Sequence, residues 1–274
     1  MTFLAALLAW LVSLSLTGSR MPGRGQVPAL ISRVVARLGG STWVYCLVLA
    51  LPVVVLAAIL HGLDHWLVTF LVGLGSLVLV FGPGDQADQL KPYRQYQQDD
   101  DADRAYELAV DTFDLPAGLY EGGAAQMDEA LKLSLAYQLL ERFFVALFWF
   151  VAFGAPGVLL VVLVRHARSV LLQLPAESSA AASLAVQVHH AINWIPARLL
   201  TLSLALVGDF SQSFAIWLRR IRDFELADRA LLETSLKVSL PENQDAQRPE
   251  DVLALIKRAQ VLWMVVIALA TIFG

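Results

Sequence analysis

The sequence predicts an all-α, polytopic integral membrane bundle with a small amphipathic helical segment outside the bilayer. Three observations carry that expectation. The 274 residues are 57% hydrophobic and only 16% charged, with a mean hydropathy of +0.62, whereas soluble domains carry about 25% charged residues. Apolar runs recur at lengths near the roughly 17–25 residues that span a hydrocarbon core. No stretch shows the strict apolar–polar alternation of a half-buried strand.

The elements follow in order. Thr2 to Leu16 is apolar, but Arg20 and Arg24 follow the run instead of preceding it, unlike the basic start of a signal peptide. It reads as an uncleaved anchor or as a short helix packed against other spans, and both readings stand. Trp43 to Leu63 is long enough to cross, with Pro52 expected to kink it. Trp66 to Phe81 follows after a turn made by Asp64 and His65.

Gly84 to Tyr137 changes character. Asp99, Asp100, Asp101 and Asp103 precede Ala105, Leu108, Ala109 and Phe113, which recur at helical spacing. The aspartates are therefore expected to cap that helix and favour its positive end. Pro116, Gly118, Gly122 and Gly123 mark a loop, and a helix from about Ala125 is expected to run straight into the bilayer at Phe143.

Phe143 to Val164 reads as the strongest single span. An Ala/Ser-rich stretch suited to close helix packing precedes His189. His189 to Leu218 reads as one embedded helix, Arg219 to Leu240 as an amphipathic polar helix, and Val261 to Phe273 as the last span. The resulting division is N-terminal membrane helices over 1–83, an acidic helical extramembrane segment over 84–142, and C-terminal membrane helices over 143–274. The last contains the polar-lined embedded helix 189–218 and an amphipathic segment 219–255. Five or six embedded helices are expected. The positive-inside rule places the short basic loop Arg20 to Arg37 in the cytoplasm.

Several function classes lose support. A net charge of −4 gives no basic footprint for nucleic acid. The single cysteine, Cys46, excludes an intramolecular disulfide and a cysteine-cluster metal site. Phosphate-loop, dinucleotide, HExxH and GxSxG signatures are absent. No metal and no cofactor are expected, and the lipid bilayer is the first partner.

The candidate ligand-binding residues are Asn193, Arg198, Asp209, Glu141 and His190. Arg198 and Asp209 lie within an apolar run, and a charge in hydrocarbon persists only against protein, water or ligand. In one helix with Asn193 as N-cap they would share a face roughly 16 Å apart, too far to pair. Thr201, Ala205, Gly208 and Gln212 would extend this small, polar stripe, with Leu200, Leu204, Val207, Phe210, Phe214 and Leu218 opposite. Two readings are open: internal bonds that hold the bundle in register, or a ligand-lining stripe in which Arg198 meets an anionic group. Glu141 could pair with Arg198 across helices, and Arg142 could snorkel to headgroups. His189 and His190 are adjacent, so they point to different helix faces and suit interfacial hydrogen bonding better than metal binding.

FVALFWFVAFGAPGVLL (Phe144 to Leu160), NWIPARLLTLSLALVGDF (Asn193 to Phe210) and RQYQQDDDADRAYELAV (Arg94 to Val110) resemble the AmpE family of bacterial inner-membrane proteins. The resemblance implies a multi-pass regulatory protein of the inner membrane, associated with β-lactamase induction and cell-wall recycling. Its partners would be a cell-wall-derived or lipid-linked ligand and a soluble or membrane protein. The Pro196-Ala197-Arg198-Leu199 block is also similar to the CobD/CbiB membrane synthases, which leaves an amide-forming synthase as the alternative. Leu139 to Phe150 reads LLERFFVALFWF and lacks the Asn and Asp that accompany the synthases' acid.

Overall fold

A computed structural model describes residues 2–16, 26–39, 41–63, 65–82, 86–113, 115, 123–173, 179–240 and 248–273. Arg20, Arg24, Asp64, Gly84, Pro116, Gly118, Gly122 and the 241–247 break lie outside the described residues. The helices are α1 (Thr2–Ser15), α2 (Gln26–Leu38), α3 (Thr42–Leu63), α4 (Trp66–Phe81), α5 (Gln86–Gln98), α6 (Ala102–Phe113) and α7 (Gly123–Leu139). A π-helical turn (Leu140–Val145) leads into α8 (Ala146–Phe153). Then come α9 (Ala155–Leu171), α10 (Ser179–Val207), α11 (Phe210–Arg220), α12 (Asp228–Ser239) and α13 (Pro249–Phe273). The described residues contain no strand.

Among the described residues five stretches are long and apolar enough to cross a membrane: Thr42–Leu63, one within Trp66–Gln98, Gln126–Phe153, Ala180–Val207 and Pro249–Phe273. The protein is thus an all-α, multi-pass membrane protein. Its apolar surface agrees, since α3 buries only Tyr45 and Leu49 and leaves Trp43, Leu51, Val54 and Ile59 exposed. A continuous apolar face of that kind suits contact with lipid.

The chain divides into two compact units, residues 1–83 with 145–195, and residues 84–144 with 196–274. In the first, Ala5, Ala6 and Ala9 are buried on α1, which packs on α4. Small residues let membrane helices approach closely. Between α8 and α9, Gly154 takes φ 66°, open to glycine without strain, and Pro156 sits at the start of α9.

This break corrects the reading of Phe143 to Val164 as one span. Gly157 folds back so closely that a Cβ there would lie 2.2 Å from the Trp149 carbonyl oxygen. The crossing helix is instead the one that starts in α7, passes through the π turn and ends at Phe153, as the expected run from about Ala125 into the bilayer requires.

In the second unit the acidic segment folds as its spacing predicts. Ala105, Ala109 and Phe113 are fully buried on α6, and the Asp101 carboxylate accepts the Arg104 backbone N–H at 3.2 Å. The Tyr93 hydroxyl donates to Asp128 Oδ1 at 2.7 Å, and Gln97 Nε2 donates to both partners. Ser134 donates to the Phe113 carbonyl, and an Arg94–Glu250 ion pair joins α5 to α13. Arg219 to Leu240 is not one helix: α11 stops at Arg220, residues 221–227 turn, and α12 begins at Asp228.

Candidate functional site

α10 begins at Ser179 and runs to Val207, which overturns the reading of His189 to Leu218 as one helix with Asn193 as its cap. Asn193 is buried in mid-helix, with Nδ2 3.4 Å from His189 Nε2 one turn earlier. His190 is half-buried on the adjoining face. Pro196 also lies inside α10. It has no N–H, so the carbonyl four residues back, that of Ile192, loses its helical donor. Trp149 supplies the replacement, its Nε1 donating to the Ile192 oxygen at 3.1 Å.

Arg198 is 3% exposed. Its Nε donates to the Ile221 carbonyl at 3.1 Å and Nη2 donates to the Asp223 carbonyl. Nη1 lies 3.6 Å from Asp228 Oδ1, and the two side chains are 4% and 3% exposed. The Arg198 carbonyl accepts from Trp217 Nε1 at 2.9 Å and from Thr201 Oγ1 at 3.0 Å. One residue of α10 therefore ties down α11, the 221–227 turn and the start of α12.

The turn presents those two carbonyls because it is folded on itself, with Asp223 Oδ1 accepting the N–H groups of Glu225 and Leu226. A guanidinium carries five donors in a rigid fork, and this arrangement uses both its planar geometry and its charge. Asp228, Ile221, Asp223 and Trp217 are the site residues that sequence reasoning missed. The only cue was an acid ahead of the apolar spacing of α12, since no Gly or Pro marks the turn.

Asp209 has a different place from the one expected. It is exposed, outside α10, and caps α11: Oδ1 accepts the Ser211 N–H at 3.1 Å and hydroxyl at 2.8 Å. Bonding to Ser211 holds its carboxyl below the usual range. The supposed shared face fails because the helix stops at Gly208, where a Cβ would lie 2.4 Å from the Ser239 carbonyl oxygen. Ser213 and Ser239 hydroxyls, 3.0 Å apart and buried, close the same junction. The leucine face is corrected too, for Leu200 and Leu204 are fully buried with Thr201, while Leu199 and Leu206 are exposed.

Glu141 and Arg142 are half-buried in the π-helical turn, flanked by buried Leu140, Phe143 and Phe144. Phe144 meets Trp263 edge to face at 5.1 Å, and Trp263 Nε1 donates to Ser203 Oγ at 2.9 Å. Two cavities lie elsewhere. One of about 280 Å³ is lined by Glu129, Lys132, Glu233 and Lys237, among others; its cations pair with acids on their own helices at 2.8 and 2.7 Å. The other, about 370 Å³, is lined by His61, His65, Trp66 and Phe150, among others. Glu141, Arg198 and Asp209 belong to the second unit, His190 and Asn193 to the first.

The buried cation at the end of the Pro196-Ala197-Arg198 block lies within a match that spans nearly the whole chain: the family described as "Regulatory signalling modulator protein AmpE" matches residues 5–274. The chain belongs to the AmpE family. A curated relative, Protein AmpE of Shigella flexneri, is 29% identical over 90 residues, which is 32% of this chain and 32% of that protein. No solved structure matches. Membership of a family described as regulatory, with five helices among the described residues long and apolar enough to cross a membrane, supports a regulatory membrane protein.

Proposed function

We propose that the protein is an inner-membrane modulator of β-lactamase induction, linked to cell-wall recycling, and that the Arg198–Asp228 contact is its responsive element. The observation that carries this reading is a buried guanidinium held by two carbonyls and one carboxylate, all from the turn-and-helix segment 221–228. The carboxylate contact is the longest of the three and the one an incoming anion could replace. The carboxylate or phosphate of a cell-wall-derived or lipid-linked ligand would compete with Asp228 for Arg198. Displacement would free the 221–227 turn and alter the surface that the extramembrane helices offer to a protein partner.

The other expected ligand residues enter differently. Glu141 is a second acid proposed for the same guanidinium. Asp209 is proposed to position α11 through its cap. Asn193 and His190 lie in the first unit, so the reading does not require them.

Thermal shift of the detergent-purified full chain against anhydromuropeptides tests the proposal. Stabilisation of the wild type, with loss of the response in Arg198→Lys and a stronger response in Asp228→Asn, is expected. Equal shifts in all three proteins would show that any ligand binds elsewhere.

A further inference from the structure

Charge is distributed unevenly in the first unit. Its described residues include Arg33, Arg37, Arg165 and Arg168 but not one aspartate or glutamate. An ion pair within those residues is therefore impossible. The arginines are carried by two helices packed against each other, Arg33 and Arg37 on α2 and Arg165 and Arg168 on α9. The Arg168 Nε is buried and has no hydrogen-bond partner among the described residues, a costly state for a charged donor unless something beyond those residues meets it.

The surroundings show which anion that is. α2 is amphipathic: Ile31 and Val35 are buried, Arg33 and Arg37 are exposed, and Leu30 and Leu38 are 61% and 58% exposed. Helices of this kind lie in the bilayer surface, apolar side chains towards the acyl chains and arginines among the headgroups. α9 reaches Arg165 directly from the apolar run Val158–Val164, so its arginines stand where an apolar helix meets the polar layer.

We infer that α2 and α9 together form a binding site for the phosphodiester headgroup of an anionic membrane lipid. Arg168 supplies the buried donor, Arg33, Arg37 and Arg165 surround the headgroup with positive charge, and the exposed leucines of α2 meet the chains. A guanidinium fork matches a phosphodiester in geometry as well as charge. Soluble phosphate would share the charge but gain nothing from Leu30 and Leu38.

Native mass spectrometry of the full-length protein, with defined lipid added to the detergent solution, reads this directly. Wild type is expected to retain phosphatidylglycerol in preference to phosphatidylcholine, by about fivefold for each engaged arginine. Arg165→Gln/Arg168→Gln should abolish most of that preference, whereas Arg165→Lys/Arg168→Lys, which keeps the charge, should preserve much of it. Should that Gln pair fail to fold, Arg33→Gln/Arg37→Gln, on the exposed face, carries the same test. An unchanged preference in the Gln variants that fold, or equal stabilisation by inorganic phosphate, would overturn the assignment.

Discussion

Arg198 is costly to place where it is. Removing a charge from water costs several kcal/mol, and the attraction of a partner only roughly offsets it. Losing one partner of such a buried pair costs about 3–5 kcal/mol. Arg198→Ala and Asp228→Ala should therefore each lower thermal stability strongly, while the apolar double variant Arg198→Met/Asp228→Leu should recover most of the loss in a melting curve. Additive losses in the double variant would mean that the two side chains do not act as a pair. Asp209 makes a milder claim. Its carboxyl is held down by Ser211, so its contribution is present above the pKa of an unfolded aspartate and is lost as pH falls through the lower folded value. Hydrogen exchange of α11 amides should quicken in that acid window, and Asp209→Asn, which still caps, should remove the dependence. That Arg198 would need a partner was legible from charge in an apolar run. Which partner it has was not, because Asp228 lies beyond a turn built without glycine or proline.

Helix breaks decide which residues meet. Gly154 ends one crossing helix and Gly208 ends another, and at each junction a backbone oxygen lies close to a glycine Cα, at Gly157 and Gly208. Ala at Gly208 or Gly157 would force the neighbouring backbone away, an overpacking cost of about 1–3 kcal/mol, visible as a lower melting temperature. Pro196 does the opposite and leaves the helix whole. Its missing hydrogen bond is made good by Trp149, so Trp149→Phe should be destabilising by roughly 1–3 kcal/mol, the cost of an unsatisfied buried carbonyl. Pro196→Ala, which restores the N–H, should rescue it; a double variant no more stable than Trp149→Phe would refute that pairing. Apolar run length located the spans well but not their ends. Phe143–Val164 looked continuous because hydropathy is blind to a single positive-φ glycine, and Asn193 looked like a cap because Pro196 suits a first turn as well as a bonded-over interior.

Across the molecule, composition alone specified a multi-pass helical membrane protein, and the acidic segment declared itself through its aspartate cap and its Ala105, Ala109 and Phe113 spacing. The division of function is less local. The described residues of the first unit carry arginines without acids, as a body facing anionic lipid would, while the second unit holds nearly all the carboxylates and the Arg198 contact that joins α10 to the 221–228 segment. A regulatory protein needs an element with two arrangements whose balance a ligand can move, and in the proposed function Arg198, in contact with Asp228 or with an incoming anion, would be that element. The most direct measurement is β-lactam-induced β-lactamase activity in cells expressing Asp228→Asn or Arg198→Lys at wild-type membrane abundance. A shifted induction curve, opposite in sense for the two variants, is the predicted result. Induction identical to wild type in both, with the proteins present in the membrane in equal amounts, would contradict it.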